Sequence, residues 1–183
     1  MAAIGIDECR RDRRPTKGDV RDGTPLAVEP LAPADRDRAF VLARFAAPQL
    51  DLDRWLDFCG ARTEDRAAGG LLAARSARGV LYGLCAFHIV EDLQRGRCLQ
   101  VDWLLALHPL QSEAVTRALL QAVQRTAGER GCRAVGIELQ EPADALCDLL
   151  QQAGYRPVGA RFQRALPDAG AGILPLAGFR RRV

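Results

Sequence analysis

The sequence has 183 residues, which is enough for one domain with a substantial core and short tails. Hydrophobic residues make up 48% of it and charged residues 27%, as is typical of a soluble globular protein. The formal net charge of +3 is too small to indicate nucleic acid as a partner.

The first part of the chain predicts a polar leader, one strand and two helices. Residues 1–24 carry six basic and five acidic residues, so they predict a nearly neutral, disordered leader. Residues 26–31 alternate in polarity and predict a strand. A first helix is predicted over 32–47, with an apolar face that consists of Phe40, Val41, Arg44 and Phe45. A second is predicted over 51–61 and ends at Gly60, with one side formed by Leu52, Trp55, Leu56 and Cys59.

The middle of the chain changes to the period of β-strands. Three strands are predicted at roughly 70–77, 80–92 and 97–107, separated by glycine-containing turns. Residues 111–130 then predict the clearest helix, which Gly131 ends. Its predicted buried stripe consists of Val115, Ala118, Leu119, Ala122, Val123 and Thr126.

The remaining segments complete a mixed sheet. We predict a strand at 133–139, a helix at 142–155 and a final strand at 156–166. The order βαα–βββ–α–β–α–β predicts one α/β (α+β) domain over residues 25–167, followed by a C-terminal tail at 168–183. Its twisted, mostly antiparallel sheet should have about six strands, with helices on both faces.

The cysteines and the N-terminus indicate a reducing compartment. None of the six cysteines forms a C-x-x-C pair, and four fall in core-like segments, which favours buried free thiols. The N-terminal sequence MAAIGIDECRRDRRP is charged where a secretory signal needs an apolar run. No segment approaches the ~20 apolar residues of a membrane-spanning helix. We therefore expect a cytoplasmic protein without a membrane partner.

The segment from Leu107 to Val123 carries a family resemblance. An apolar strand ends in the turn "LHP", and a long helix follows. This arrangement, within the whole element order, resembles the GNAT superfamily of acyl-CoA-dependent N-acyltransferases over about residues 25–166. The resemblance implies acetyl-CoA or another acyl-CoA as cofactor, and an amine on a small molecule or a protein as acceptor. The resemblance allows a homodimer and does not require one.

The family's phosphate-binding motif, Q/R-x-x-G-x-G/A, aligns with residues 111–116. Its members here would bind the pyrophosphate, and they are Gln111, Ser112, Glu113, Ala114, Val115 and Thr116. Ala114 and Thr116 replace the two glycines, but the N–H groups at a helix N-terminus attract an anion without any side chain. The Thr116 hydroxyl could also donate, whereas Glu113 would repel the anion if its carboxylate faced the site. The alternative is a helix that Ser112 caps and that needs no ligand.

The resemblance also implies a place for the pantetheine arm. In the family, the strand before this helix splays from its parallel neighbour, and the freed backbone groups bind the arm. The corresponding strands here are 99–107 and 133–139. The residues implied as contacts are Leu105, Ala106 and Leu107.

Acyl transfer to an amine needs a general base. Asp102 is the only acidic residue on the strand before the motif, and it is the predicted catalytic base. The alternative is a structural ion pair between Asp102 and an arginine across the sheet, such as Arg97 or Arg75. Weaker candidates for the base are Glu91, Asp92, Glu138, His88 and His108.

The acid that should protonate the leaving thiolate is harder to place. The tyrosine that the family has in its late helix aligns with Leu150 in this sequence. Tyr155 and Cys147 are expected to be packing residues. Protonation would come from Tyr82, if it reaches the thiol site, or from water. The alternative function is therefore a non-catalytic module of the same fold that binds a CoA ester or a protein partner. No metal is expected, because the two histidines and the scattered cysteines lack metal-binding spacing.

Overall fold

The computed structural model describes residues 26–65, 67–108, 110–139 and 144–158. Its strands are β1 (Leu26–Pro30), β2 (Gly69–Ser76), β3 (Leu81–Asp92), β4 (Gly96–Ala106) and β5 (Ala134–Ile137). Its helices are α1 (Arg36–Ala46), α2 (Leu52–Thr63), α3 (Ser112–Glu129) and α4 (Asp144–Gln152), and a short 3-10 turn at Pro33–Asp35 precedes α1. The predicted order of elements is confirmed from β1 to α4.

Three predicted segments are not covered by this description. The leader at 1–24 and the tail at 168–183 lie outside the described residues. The predicted last strand begins with residues 156–158, which are not in a strand, and its remainder is also outside the described part.

The chain divides into two compact units, residues 1–142 and 143–183. The first contains the whole described sheet and the helices α1 to α3. The second contains α4, which is followed by Gly154 at a φ of +87°, a conformation that favours glycine. Within this unit the Tyr155 N–H donates to the Leu150 carbonyl at 2.9 Å.

The described sheet has five strands in the order β1-β2-β3-β4-β5. The first three pairs are antiparallel, and β4 and β5 are parallel. The prediction of a mixed, mostly antiparallel sheet is thus confirmed, with five strands in the described residues where about six were expected.

Helices cover both faces of this sheet, as predicted. Alternate side chains of β3 divide between two cores, because successive residues of a strand point to opposite faces. Leu84 and Ala86 pack with α1 and α2, whereas Cys85 and Phe87 pack with α3. Gly83 lets α3 lie close to the sheet, since a Cβ there would lie 2.7 Å from Cγ1 of Val115.

The predicted apolar face of α1 is correct only at Phe40, which is partly buried against the core. The helix buries Ala39 and Ala43, which are fully inaccessible, while Val41 and Phe45 are 62% and 73% exposed. Ala39 and Ala43 are four residues apart and share one face, and their small side chains allow the helix to approach the sheet closely.

Two of the four residues predicted on the inward side of α2 are buried. Trp55 and Cys59 are buried, but Leu52 and Leu56 are exposed. The Asp51 carboxylate accepts from the Arg54 N–H at 2.7 Å and caps the helix. The helix continues past Gly60 to Thr63, whose hydroxyl donates to the Cys59 carbonyl at 2.7 Å.

Helix α3 matches its prediction most closely. Most of the predicted stripe is buried, Ala118 and Thr126 are half-buried, and Thr116, Leu120 and Ala127 are buried in addition. Gly131 follows the helix with a φ of +69°, as a helix-terminating glycine should. The described cysteines are free thiols. None of the described helices is long and apolar enough to span a membrane.

Candidate functional site

Strand β4 pairs with β5 over only part of its own length, whereas all four residues of β5 are paired. Their parallel register runs from Cys98–Ala134 to Val101–Ile137, and the Glu138 N–H adds one bond to the Val101 carbonyl at 3.2 Å. Residues 102–106 of β4 continue with β3 as their only paired strand among the described residues. The pairing ends where β5 ends, at Ile137, so the divergence of these two strands stays a prediction.

A β-bulge begins where this pairing ends. In the register of β3 with β4, Ala86 pairs with Trp103 and Phe87 pairs with Val101, so Asp102 is the extra residue. As a result, Asp102 and Trp103 both face α2. Asp102 contacts Arg62, and the Trp103 ring packs edge-on against Trp55 at 6.2 Å.

The bulge places Asp102 in a cluster with His88 and Arg62. Nδ1 of His88 lies 2.8 Å from Oδ1 and 3.0 Å from Oδ2 of Asp102, and a terminal nitrogen of Arg62 lies 2.8 Å from the same Oδ2. The three side chains are 22%, 31% and 27% exposed, so each is partly shielded and still reachable from solvent. The Arg62 guanidinium also lies over the Phe58 ring at 5.3 Å.

The alternative expectation, an ion pair between Asp102 and an arginine, is confirmed, but the partner is Arg62 and neither Arg97 nor Arg75. Arg97 pairs with Glu91 at 3.4 Å, and Arg75 pairs with Asp35 at 3.0 Å. The bulge explains the difference, because it turns Asp102 toward the end of α2 instead of toward these side chains. His88, one of the weaker candidates for the base, is the residue that the fold brings to Asp102.

The other predicted carboxylates lie elsewhere. Asp92 accepts from the N–H groups of Arg95 and Gln94 at 2.7 and 2.9 Å in the β3–β4 turn, and these bonds lower the pKa of Asp92. Glu91 pairs with Arg97 near the same turn. Glu138 follows β5, where its N–H bonds to Val101. Asp92 and Glu91 thus have structural roles in a turn.

The turn before α3 is held by Ser112. Its hydroxyl donates to the His108 carbonyl at 2.8 Å and accepts from the His108 N–H at 3.2 Å. The expectation that Ser112 caps the helix is therefore wrong, since the capping position is Gln111 and Ser112 is already the first helical residue.

The first turn of α3 presents backbone donors. The first bond that closes the helix is from the Val115 N–H to the Gln111 carbonyl at 3.2 Å. The N–H groups of Ser112, Glu113 and Ala114 precede that bond, so they have no acceptor within the helix. These groups and the helix dipole fit an anion such as a pyrophosphate.

Two side chains of the motif behave differently from expectation. Thr116 is buried, and its hydroxyl donates to the Ser112 carbonyl at 2.9 Å, so that hydrogen is already used within the helix. The carboxylate of Glu113 accepts from Arg117 at 2.7 and 3.0 Å, one turn along the helix. Thr116 thus adds no donor to this turn, and the charge of Glu113 is compensated.

Strand β4 meets this turn at Leu107. The Leu107 N–H donates to the Tyr82 carbonyl at 2.7 Å, so that group cannot also bind a pantetheine arm. Leu105 and Ala106 precede it on the part of β4 that lies beyond the end of β5. Within the described residues, the edge of β4 that is not paired with β5 leads from Asp102 to the N-terminus of α3.

Tyr82 lies beside the turn and away from Asp102. A second bulge, where Ala74 pairs with Gly83 and Arg75 pairs with Leu81, makes Tyr82 the extra residue of β3. Its ring packs edge-on against His108 at 4.5 Å. Six residues of strand, or about 20 Å, separate Tyr82 from His88, so the fold does not bring this tyrosine to the Asp102 cluster.

The comparison with protein families decides what this arrangement is. Residues 35–155 match the family described as Acetyltransferase (GNAT) family. The chain belongs to the acetyltransferase (GNAT) family. This membership confirms the predicted resemblance, and it supports the predicted transferase class and acetyl-CoA, the acetyl donor of GNAT enzymes, as its cofactor.

Solved structures share the GNAT fold at low identity. Aminoglycoside N-acetyltransferase AAC(6')-Iy in complex with CoA matches with 17% identity and a TM-score of 0.66, over 82% of this chain and 99% of that chain. A ribosomal-protein-alanine N-acetyltransferase from Brucella melitensis biovar Abortus 2308 matches with 20% identity and a TM-score of 0.63, over 77% and 99%. A transcriptional regulator from Bacillus halodurans C-125 matches with 10% identity and a TM-score of 0.67, over the same shares.

The curated proteins contain no significant match to this sequence. Among the described residues, no group of His, Cys, Asp or Glu could hold a metal ion. The candidate site of this GNAT protein thus consists of the edge of β4, the first turn of α3 and the cluster of Asp102, His88 and Arg62.

Proposed function

We propose that this GNAT-family chain transfers the acetyl group of acetyl-CoA to an amine. The observation that carries the proposal is the end of the β4–β5 pairing at Val101, followed at once by the bulge at Asp102. As far as the described residues go, this arrangement offers an extended ligand a strand edge without a partner, and a titratable cluster lies at Asp102, where that edge begins. A plain core strand would need neither feature.

The residues that would hold acetyl-CoA fit its chemistry. The N–H groups at the start of α3, from Ser112 to Ala114, would bind the pyrophosphate, and Arg117 compensates the charge of Glu113 beside them. The backbone of Leu105 and Ala106 would bind the pantetheine arm, while Leu107 would contribute only its carbonyl. When bound, acetyl-CoA supplies an acetyl group activated as a thioester.

The chain's own contribution to the chemistry would be proton transfer. An amine reaches the site mainly as an ammonium ion, and it must lose a proton before its nitrogen can attack. Asp102 and His88 would be the groups that handle this proton, and Asp102 directly follows Val101, where the pairing of β4 with β5 ends. Tyr82 lies about 20 Å from His88 along β3, and Leu150 occupies the position where the family has a tyrosine. We therefore propose that water protonates the leaving sulfur.

The acceptor class can be narrowed by experiment. One neighbouring structure, AAC(6')-Iy, is described with a bisubstrate analogue, CoA-S-monomethyl-acetylneamine, and another is named for an alanine of a ribosomal protein. An amino sugar and a peptide N-terminus are therefore the first amines to test on this chain. Release of free thiol from acetyl-CoA in the presence of each amine measures the transfer.

Cofactor binding is tested by thermal unfolding of the full chain. Saturating acetyl-CoA should raise the Tm, since a ligand that binds only the folded state stabilises it. Ala114→Asp adds a negative charge among the N–H groups and should abolish the shift, whereas Gln121→Asp, on the exposed side of α3, should retain it. Absence of a shift for the unmodified chain, or a full shift for Ala114→Asp, would contradict the proposed site.

The alternative is a GNAT-fold module that binds a CoA ester or a protein partner without catalysis. It is favoured by Leu150, which is buried where the family has a tyrosine, and by the use of the Thr116 hydroxyl within the helix. A Tm shift with acetyl-CoA, but no thiol release with an amino sugar, a peptide N-terminus or any other amine tested, would support this module and reject the transferase.

A further inference from the structure

We propose that His88 is the catalytic base of this site and that Asp102 is the positioning residue that orients it. This inference rests on the proposed acetyl transfer and assigns the proton-transfer step to one atom, Nε2 of His88. It differs from the sequence-based prediction, in which Asp102 itself was the base.

The contacts of Asp102 argue against a direct role. Its Oδ2 faces the guanidinium of Arg62 at 2.8 Å, and Nδ1 of His88 lies 2.8 Å from Oδ1 and 3.0 Å from Oδ2. Because an ionised carboxylate can only accept hydrogen bonds, a proton on Asp102 would break one of these contacts. The carboxylate is therefore suited to hold its two partners in place.

The same contacts prepare His88 to accept a proton. Its Nδ1 lies against a carboxylate oxygen, so Nδ1 must carry the hydrogen in the neutral ring, and Nε2 carries the lone pair. Arg62 keeps Asp102 an acceptor, since a guanidinium does not give up its proton in proteins. The His88 side chain is 31% exposed, which allows a proton to reach water from Nε2.

The strand geometry explains why the two residues meet. His88 pairs with Gln100 across the β3–β4 ladder, so a regular strand would place residue 102 diagonally beyond it. The bulge at Asp102 bends β4 at that point and turns the carboxylate back over His88. Since bulges re-aim side chains near active sites, the distortion has a use that core packing does not provide.

The proton balance of the step is simple. An N–H bond of the acceptor ammonium breaks and an Nε2–H bond forms, and Asp102 stabilises the resulting imidazolium. The ammonium form of the acceptor and the thioester together give the amide, the free thiol and one proton. His88 passes that proton to solvent and returns to its neutral form.

The charged groups around His88 are few in the described residues. Arg62 faces it from α2 and Asp102 from β4, while its neighbour on β2 is Gly69. Next along β3, Glu91 forms a separate ion pair with Arg97. Glu91→Gln therefore removes a paired carboxylate from the same strand and serves as the matched control.

The first test measures turnover with the amine that is acetylated faster, either the amino sugar or the peptide N-terminus. His88→Gln should lower kcat by about 10²- to 10⁴-fold, the usual contribution of a general base, and leave the KM for acetyl-CoA unchanged. His88→Ala should regain part of its rate when imidazole is added, a rescue that a misfolded enzyme cannot give. Glu91→Gln should keep the rate of the unmodified enzyme.

The second test needs no turnover. The sequence contains only two histidines, so ¹⁵N spectra of the imidazoles contain two sets of signals, and His108→Gln identifies those of His88. The neutral His88 ring should carry its hydrogen on Nδ1. Asp102→Asn should shift the ring toward a mixture of tautomers and lower kcat, while Glu91→Gln should leave the tautomer unchanged.

The outcomes separate this inference from the proposed function. An unmodified chain that acetylates no amine would reject the proposed function and the base together. An active chain in which His88→Gln keeps its kcat, or in which the neutral His88 ring carries its hydrogen on Nε2, would reject only the assignment of His88.

Discussion

The carboxylate of Glu113 accepts two hydrogen bonds from the guanidinium of Arg117, at 2.7 and 3.0 Å, one turn along α3. This pair decides the electrostatic character of the proposed anion site, because Glu113 lies in the first turn of the helix. Arg117→Gln should weaken acetyl-CoA binding by about two- to five-fold, since an uncompensated charge at a helix terminus contributes roughly 0.3–1 kcal/mol. Isothermal titration calorimetry measures the change in Kd.

The double variant Glu113→Gln/Arg117→Gln is the control for this pair. It removes both charges, so it should bind acetyl-CoA about as well as the unmodified chain. If the double variant binds as weakly as Arg117→Gln alone, Arg117 acts on the ligand directly, and the compensation of Glu113 is not its role.

Gly83 determines how closely α3 approaches β3. A Cβ at this position would lie 2.7 Å from Cγ1 of Val115 and 2.9 Å from the Leu105 carbonyl oxygen, and backbone can yield little. Gly83→Ala should lower the free energy of unfolding by roughly 1–3 kcal/mol, as overpacking of a core does. It should also weaken acetyl-CoA binding, because the added methyl group pushes the first turn of α3 away from β4.

Gly128 is the matched control on the same helix. No atom lies within 4 Å of a Cβ built there, so Gly128→Ala should raise the free energy of unfolding by roughly 0.5–1 kcal/mol. Urea unfolding of the two variants should therefore give changes of opposite sign. Equal behaviour would show that Gly83 is not a packing constraint.

The sequence predicts those parts of the fold that have a strong periodic signal. The long strands β3 and β4 and the helix α3 are apolar at regular spacing over many residues, and their positions agree with the structure. The face of α1 was missed because its buried residues, Ala39 and Ala43, are small and add little to an apolar pattern. A close helix–sheet contact selects for size, which hydrophobicity does not measure.

The elements that carry the candidate site were predicted, but the contacts of Asp102 were not. The motif at 111–116 placed the start of α3 and the edge of β4 correctly, because both follow from the element order. The partners of Asp102 depend on a bulge, which is a property of the register between two strands. One signal was present: the α3 face of β4 changes from Leu99 and Val101 to Leu104 and Ala106, a switch from odd to even positions.

Trp55 anchors α2, the helix that carries Arg62. It is 1% exposed, its indole N–H donates to the Arg36 carbonyl of α1 at 2.9 Å, and its ring packs against Trp103. Trp55→Ala should lower the free energy of unfolding by roughly 3–5 kcal/mol, the usual cost of removing a buried aromatic side chain. Leu56→Ala, at a 37% exposed neighbour, should cost about 1 kcal/mol or less. Similar urea midpoints for the two variants would contradict this role of Trp55.

Two buried thiols should make the fold less stable at high pH. Burial, with a smaller effect of the Asp102 charge, raises the pKa of Cys85 to about 12, and burial, partly opposed by Arg36, raises that of Cys59 to about 11. The ordinary value is 9.0, so above pH 9 the unfolded chain loses these protons while the folded chain keeps them. The stabilisation is complete below pH 9 and is lost as pH rises toward the folded-state values, by up to about 1.4 kcal/mol per thiol and pH unit.

Urea unfolding at pH 8 and pH 10 measures this loss, and the cysteine variants assign it. Cys85→Ala and Cys59→Ala should each reduce the difference in unfolding free energy between the two pH values. Because the two thiols lie in different cores, on opposite faces of the sheet, the reductions should add in the double variant. A double variant with the same pH dependence as the unmodified chain would assign the loss to other groups.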